Sequence, residues 1–300
     1  MIRPPRLREG SRVALIAPAG PVTGERIDVA FDRCARLGLV PVLGAAARSR
    51  HGGYLAGSDD DRLEDLQWAL TSPEIDGVWA LRGGYGTMRL LHRVDLSPLV
   101  GHPRAYIGFS DNTAIHLALL ARRVVSFHAP HAGGESSPLA EQALRDVLFI
   151  AAPAGLLPLP AEPEVVTLHD GIAEGPLIGG NLALLAGMCG TPASPVTRGA
   201  ILFVEDIGEH DYRLDRLWTQ LMLAGALDGV AGLAFGRFTD CGGEKDVHAL
   251  LREFADDAGV PAVMQLPIGH EPDNWTLPLG VRARLDATRG TLELLEPAVT

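Results

Sequence analysis

Cysteine, long apolar runs and obvious targeting features are all scarce in this sequence. Its three cysteines, Cys34, Cys189 and Cys241, are odd in number and widely spaced in a chain of 300 residues, which disfavours a disulfide scaffold and a zinc ribbon. No stretch approaches the roughly 20 apolar residues that a membrane helix needs. The first segment loses its apolar character at Pro18 and Gly20, unlike a signal peptide. We therefore expect a cytoplasmic protein without a membrane partner.

Basic residues are fewer than acidic ones. Lysine and arginine number 26 against 37 acidic residues, and the formal net charge is −11. Such a chain has no basic field with which to collect phosphates, so we expect no nucleic-acid partner. An apolar share of 47% and a charged share of 21% suit compact cores, and the length allows two domains. A small ligand, cationic or zwitterionic, fits this balance.

Short apolar runs alternate with amphipathic segments through the first half. This alternation predicts an α/β fold with a doubly wound, mostly parallel sheet covered by helices on both faces. The predicted strands are 12–17, 39–43, 77–81 and 105–109, and the predicted helices are 24–37, 59–70, 87–94 and 111–122.

The proline-rich and alanine-rich segment AAPAGLLPLPAEP marks a linker. We predict an N-terminal domain over 1–150, a linker over 151–164 and a C-terminal α/β domain over 165–300. In this second part, 200–204 and 230–235 are predicted strands, and 212–223 and 247–255 are predicted helices. The end of the chain, VRARLDATRGTLELLEP, alternates around a turn and predicts a closing β-hairpin.

The segment AYIGFSDNTAIHLALLARR carries the most specific chemical signal. An apolar strand ends at Phe109, Ser110 occupies the turn and a helix follows at once, which is typical of a nucleophile elbow. The Asp111 amide and the positive end of the helix dipole then lie where an oxyanion would form. Asn112 stands where a glycine is common. The competing interpretation is that Ser110 only caps the helix.

A glycine-rich turn follows another predicted strand, in GVWALRGGYGTMRLL. Glycines at a strand-to-helix turn let backbone amides approach an anion closely. The spacing differs from GxGxxG, so a dinucleotide site is not indicated. Arg82 precedes this turn, and its guanidinium would suit a carboxylate. A plain tight turn, with Arg82 paired to a surface acid, is the alternative.

Two segments of the second half supply the other groups of a hydrolytic site. Glu205 and Asp206 end a predicted strand, and His270 lies in the loop PIGHEPDNWTLPLG. Taken singly, an acidic pair after a strand caps a helix more often than it takes part in catalysis. A histidine in a loop is likewise more often only solvated. Together with Ser110 they supply a nucleophile, a base and a carboxylate that orients the base.

Five segments, RGGYGTMRLL, IGFSDNTAIHLAL, GNLALLAGMCGTP, LFVEDIGEHDYRLDRLWTQL and PIGHEPDNWTLPLG, resemble successive motifs of the LD-carboxypeptidase family. That family includes murein tetrapeptide carboxypeptidases and microcin-immunity peptidases. The resemblance implies a cytoplasmic, homodimeric serine carboxypeptidase that needs neither metal nor cofactor. It would cleave an L,D-peptide bond of a small peptide, such as the bond to the terminal D-alanine of a peptidoglycan-derived tetrapeptide.

The same resemblance implies individual roles. Ser110 would be the nucleophile, Glu205 the acid and His270 the base, with an oxyanion hole formed by the amides of Asp111 and Gly84. Arg82 is our candidate for contacting the terminal carboxylate of the substrate.

Three alternatives compete with this interpretation. A microcin-immunity type of peptidase would cleave a toxic peptide-nucleotide, although no tryptophan lies between 130 and 165 to stack on a nucleotide. A metallohydrolase would use His128, His131 and Glu135. Pro130 and a glycine pair, however, make that segment a loop. The third alternative is a catalytically silent binding or sensor protein on the same two-domain scaffold.

Overall fold

The computed structural model describes residues 1–300, which form two β-sheets flanked by helices. The strands are β1 (Arg12–Ile16), β2 (Val40–Leu43), β3 (Gly77–Ala80), β4 (Ala105–Gly108), β5 (Phe127–His128), β6 (Gly155–Leu156), β7 (Val166–His169), β8 (Ile172–Asn181), β9 (Ile201–Ile207), β10 (Gly232–Thr239), β11 (Ala262–Met264), β12 (Leu277–Pro278), β13 (Arg282–Asp286) and β14 (Thr291–Leu294). The helices are α1 (Gly24–Arg36), α2 (Asp59–Thr71), α3 (Pro98–Gly101), α4 (Thr113–Ala121), α5 (Pro138–Leu148), α6 (Leu182–Gly187), α7 (Asp211–Leu223) and α8 (Glu244–Ala258).

The first sheet has the strand order β12-β5-β4-β3-β1-β2. Strands β1 to β5 run parallel, and β12 pairs antiparallel with β5. The predicted doubly wound, mostly parallel sheet is confirmed. Because the carboxyl ends of parallel strands share one edge, the turns after β3 and β4 lie side by side there.

The second sheet has the order β6-β14-β13-β8-β9-β10-β11-β7. Its centre, β8 to β11, is parallel, and β13 and β14 form the predicted closing hairpin. Strand β6 pairs with β14, while β12 joins the first sheet. The domain bounds 1–150, 151–164 and 165–300 stay a prediction.

Both halves contribute to a common apolar core. Trp79 and Phe127 from the first sheet belong to the same buried cluster as Phe203 and Trp275 from the second half of the chain. Continuous apolar strands such as β3 and β4 are buried along their whole length, as parallel strands covered on both faces should be. No helix has both the length and the apolar character to cross a bilayer.

Three predicted helices differ from the observed ones. The predicted helix 247–255 is longer at both ends and forms α8 (Glu244–Ala258). The predicted helix 87–94 is only a 3₁₀ turn, Thr87–Leu90. Beyond it, the Arg93 and Val94 amides both donate to the Leu90 carbonyl in a turn. The Gln67 side chain of α2 then pairs with the amide and the carbonyl of Asp95. The predicted helix 111–122 begins as α4 at Thr113, after a 3₁₀ turn formed by Ser110–Asn112.

Candidate active site

The backbone at Ser110 forms the predicted elbow. Ser110 has a φ of 59°, in the left-handed region that L-residues seldom adopt, directly after β4. Gly108 permits the turn, because a Cβ there would lie 3.1 Å from both the Ala80 Cβ and the Asn112 Cγ. The resulting geometry presents the Ser110 side chain at the carboxyl edge of the sheet.

The asparagine at an elbow position where glycine is common has a structural role. Asn112 accepts a hydrogen bond at Oδ1 from the Tyr106 hydroxyl (2.6 Å) and donates from Nδ2 to the Phe109 carbonyl (3.1 Å). All these groups are buried. Asn112 therefore ties the turn to the strand that precedes it.

Ser110, His270 and Glu205 meet in one chain of hydrogen bonds. Ser110 Oγ lies 3.1 Å from His270 Nε2, and His270 Nδ1 lies 2.8 Å from Glu205 Oε2. With the Nδ1 proton directed at the carboxylate, a neutral ring presents Nε2 as an acceptor to the serine hydroxyl. This arrangement can remove the hydroxyl proton as the oxygen attacks.

The His270 ring is mostly buried and Glu205 is fully buried. Burial lowers the pKa of His270, but the Glu205 carboxylate and its hydrogen bond outweigh this effect and raise that pKa above 6.5. Glu205 Oε1 has no hydrogen-bond partner. The pairing with His270 is therefore the main polar contact of this carboxylate.

Asp206, next to Glu205, performs a different task. Both residues lie within β9, which extends to Ile207, beyond the predicted strand end. Asp206 accepts hydrogen bonds from the Asn181 side chain (2.8 Å) and the Ala183 amide (2.9 Å), which fixes the start of α6. Burial and the nearby Glu205 raise the pKa of Asp206 to about 7.

The glycine turn after β3 closes tightly over the serine. A Cβ on Gly83 would lie 2.9 Å from the Ser110 Cβ, and Gly84 adopts a φ of 115°. The Gly20 amide donates to the Gly83 carbonyl (3.0 Å) and holds the turn in place. The Gly84 amide has no hydrogen-bond partner within the chain, so it is free to donate to a ligand.

The other predicted oxyanion donor is the amide of Asp111. The carboxylate of Asp111 accepts from the Thr87 amide (2.8 Å), and its carbonyl accepts from the Thr87 hydroxyl (2.5 Å). Burial raises the pKa of this carboxylate to about 6. These contacts join the elbow to the segment after the glycine turn. The roles of the Asp111 and Gly84 amides in an oxyanion hole stay a prediction.

The serine opens into a cleft of about 450 Å³. Arg82 lines it, and its Nη1 donates to the Pro21 carbonyl (2.8 Å) instead of pairing with a surface acid. A second cation, Arg26 of α1, lines the same cleft, as do His131 and Glu271. Arg26 was not among the predicted site residues, because nothing in its helix distinguishes it from a solvated arginine.

The three residues of the competing metal site do not converge as ligands. No three His, Cys, Asp or Glu side chains in the chain are arranged to hold a metal ion. His131 packs its ring 4.2 Å from that of Phe109 and contacts the Phe109 carbonyl (3.2 Å) through Nε2. His128 is fully buried, with its ring 5.5 Å from that of Phe109. Burial lowers the pKa of both histidines well below 6.5, so they are neutral packing elements.

Two sequence profiles match the chain, the LD-carboxypeptidase N-terminal domain over residues 13–129 and the LD-carboxypeptidase C-terminal domain over residues 174–285. The murein tetrapeptide carboxypeptidase of Pseudomonas aeruginosa is 37% identical over 289 residues, which cover 93% of this chain and 94% of that protein.

Solved structures agree with this match. Muramoyltetrapeptide carboxypeptidase from Oxalobacter formigenes superposes with a TM-score of 0.82 at 32% identity, covering 95% of this chain and 98% of that one. MccF in complex with glutamyl sulfamoyl guanosine shares the fold, with a TM-score of 0.91 at 22% identity over 100% of both chains.

The fold and these matches define the protein as a peptidase. More specifically, the chain belongs to the LD-carboxypeptidase family, as the five sequence motifs predicted.

Proposed function

We propose that this protein is a serine-type LD-carboxypeptidase that releases the terminal D-alanine of a peptidoglycan-derived tetrapeptide. The observation that carries the proposal is that Ser110 is hydrogen-bonded to His270, and His270 to Glu205, beside an open cleft. The similarity to carboxypeptidases named for murein and muramoyl tetrapeptides supports the substrate class.

In the proposed mechanism, His270 Nε2 takes the proton of Ser110 as Oγ bonds to the scissile carbonyl carbon. The amides of Gly84 and Asp111 donate to the oxyanion of the tetrahedral intermediate. His270 then returns the proton to the leaving amine nitrogen as the C–N bond breaks. Water, deprotonated by the same imidazole, attacks the acyl-serine ester and releases the shortened peptide, with the serine proton restored. No metal or cofactor takes part in these steps.

Glu205 stabilises the imidazolium that forms during each proton transfer. Its fully buried position places a negative charge 2.8 Å from Nδ1, where little water screens it. The same contact keeps the proton on Nδ1 while His270 is neutral.

Two cations in the cleft support cleavage at the C-terminal end of the substrate. Arg82 and Arg26 line it together with Ser110, and a guanidinium is well suited to bind a terminal carboxylate. Arg82 is therefore the proposed contact for the carboxylate of the leaving residue, and Arg26 lies in position to assist.

We also propose that the protein works in the cytoplasm as a homodimer. The three cysteines are free in the structure, which fits a reducing compartment. Size-exclusion chromatography with light scattering tests the dimer directly, and a monomer at micromolar concentration would contradict it.

The decisive experiment offers purified protein a tetrapeptide that ends in D-alanine and analyses the products by mass spectrometry. We expect loss of one alanine and no internal cleavage. The epimer ending in L-alanine serves as the control, because its side chain would enter the site from the opposite direction. A peptide-nucleotide offered in parallel tests the microcin-immunity alternative, and cleavage of that compound alone would overturn the proposed substrate.

A chelator separates serine from metal chemistry. Because the oxyanion is stabilised by amides, prolonged EDTA treatment should leave the rate unchanged. Loss of activity with EDTA and its return with zinc would contradict the proposed mechanism.

A further inference from the structure

A buried arginine of α2 contacts two loops at the carboxyl edge of the first sheet. Arg62 is 1% exposed, and the loops follow β1 and β3, two strands that pair directly. Its Nη1 donates to the Pro18 carbonyl (2.6 Å) in the segment after β1. The same atom donates to the Gly86 carbonyl (2.9 Å) in the glycine turn after β3. One side chain therefore joins two loops beside the turn that carries Ser110.

The contact with Gly86 requires a glycine. Gly86 adopts a φ of 138°, and a Cβ there would lie 2.5 Å from Arg62 Nη1. Any other residue at this position would displace the guanidinium from the carbonyl. The Gly20 amide joins the same two loops at a second point, where it donates to the Gly83 carbonyl (3.0 Å). The glycine turn is therefore fixed to the segment after β1 through both of its carbonyls.

The peptide group between Gly86 and Thr87 is held at both of its polar atoms. Its carbonyl accepts from Arg62, and its N–H, the Thr87 amide, donates to the Asp111 carboxylate (2.8 Å). These two atoms point in opposite directions in a trans peptide. The contacts therefore fix both the position and the orientation of this peptide group.

The charge of Arg62 is matched to this arrangement. Its Nη2 forms an ion pair with Asp59, also on α2. Burial raises the pKa of Asp111, and the positive charge of Arg62 opposes that rise and favours the carboxylate that accepts from Thr87. A buried cation is tolerated when such partners surround it.

The held peptide group links the two amides of the proposed oxyanion hole. Gly84 lies two residues before it, in the same turn, and Asp111 directly follows Ser110. Donors to an oxyanion must lie about 2.7–3.1 Å from the oxygen. A shift of the turn relative to the serine would therefore weaken the hole although every catalytic side chain remained.

We propose that Arg62 is a positioning residue that sets the oxyanion hole by holding the Gly86–Thr87 peptide group between the segment after β1 and Asp111. This inference rests on the proposed function, because the oxyanion hole belongs to that proposal. Arg62 does not line the cleft, so it acts through the turn and not on the substrate.

The test compares Arg62→Gln and Arg62→Lys with Arg89→Gln. Arg89 is the matched control, because it pairs with the same Asp59 but is exposed and donates to no other residue. Steady-state kinetics are measured on the peptide that ends in D-alanine. Hydrogen exchange with mass spectrometry follows the segment that contains the Thr87 amide, and thermal melting checks that each protein is folded.

Arg62→Gln should lower kcat by about 100-fold, because a misplacement of about 1 Å has an effect of that size. KM should change by less than about threefold, since the lost interaction is made only in the transition state. The Thr87 amide should exchange about tenfold faster or more, because the turn loses a hydrogen bond to a charged group. Arg62→Lys keeps the charge without the planar fork and should have an intermediate kcat. Arg89→Gln should behave as the wild type in both measurements.

A raised KM with unchanged kcat, or wild-type exchange of the Thr87 amide in Arg62→Gln, would overturn this inference and leave the peptidase assignment intact. Wild-type protein that does not cleave the peptide would overturn the proposed function instead. Hydrogen exchange then still tests whether Arg62 holds the turn, because it requires no turnover. If Arg62→Gln does not fold, Arg62→Lys replaces it, and wild-type kcat in that protein would overturn the inference.

Discussion

Ser110 Oγ and His270 Nε2 lie 3.1 Å apart, although 160 residues separate them in the chain. The serine belongs to the turn after β4 of the first sheet, and the histidine belongs to a loop that follows β11 of the second. The site therefore exists only where the two sheets meet. Its geometry depends on the packing between them as much as on either segment.

Removal of any member of the proposed triad should abolish most turnover. We expect Ser110→Ala, His270→Ala and Glu205→Ala each to lower kcat by about 10⁴-fold or more, with the double variants little worse because the groups act as a unit. Melting curves should remain cooperative, and the exposed His102→Ala provides the control. A His270→Ala protein that retained more than about a tenth of the wild-type rate would show that His270 is not the base.

The pH profile should report the charge state of His270. The imidazole must be neutral to accept the serine proton, and its pKa is raised above 6.5 by Glu205 despite burial. Activity should therefore fall as the pH decreases through that raised pKa, and be full above it. Glu205→Gln removes the raising interaction, so the acidic limb of kcat/KM should move to lower pH while kcat drops. An acidic limb at the same pH in both proteins would contradict this account.

The close approach of the glycine turn should make Gly83 intolerant of a side chain. The Cβ in Gly83→Ala would lie 2.9 Å from the Ser110 Cβ and 3.0 Å from its Oγ, and the serine would have to move. Because misplacement by about 1 Å can lower a rate on the order of 100-fold, we expect a comparable loss of kcat with the fold retained. Gly101→Ala is the control, since nothing lies within 4 Å of a Cβ there. Wild-type kcat in Gly83→Ala would rule out the tight contact.

Recognition of the terminal carboxylate should depend on the arginines of the cleft. We expect the wild-type protein to cleave a peptide acid ending in D-alanine far faster than the corresponding C-terminal amide. Arg82→Ala should reduce that preference by about tenfold or more, because a charge-assisted hydrogen bond to the carboxylate is lost. Arg26→Ala, measured in parallel, shows how the two cations share the task.

The two possible failures of this prediction have different meanings. Equal rates on acid and amide in the wild-type protein would remove the carboxypeptidase proposal. An Arg82→Ala protein that keeps the full preference would remove only the role of Arg82.

Local sequence patterns were sufficient to predict much of the fold. The alternation of apolar runs with amphipathic segments predicted the parallel sheet, and the alternating end of the chain predicted the hairpin of β13 and β14. These signals are strong because backbone hydrogen bonding and burial act over a few residues. The predicted helix 87–94 was wrong, because the chain turns after Leu90 towards Asp95, whose backbone pairs with the Gln67 side chain 28 residues away. A local pattern cannot encode such a contact.

Strand-turn-helix patterning in the sequence singled out Ser110, whereas Glu205 and His270 were assigned only in combination with Ser110 and through the resemblance to the LD-carboxypeptidase family. The packing of the two sheets against each other joined Glu205, His270 and Ser110 by hydrogen bonds and placed Arg26 at the cleft. The same packing directs Arg82 Nη1 to the Pro21 carbonyl. Side-chain partners across two sheets depend on packing between elements far apart in the chain, and no short-range periodicity encodes that packing.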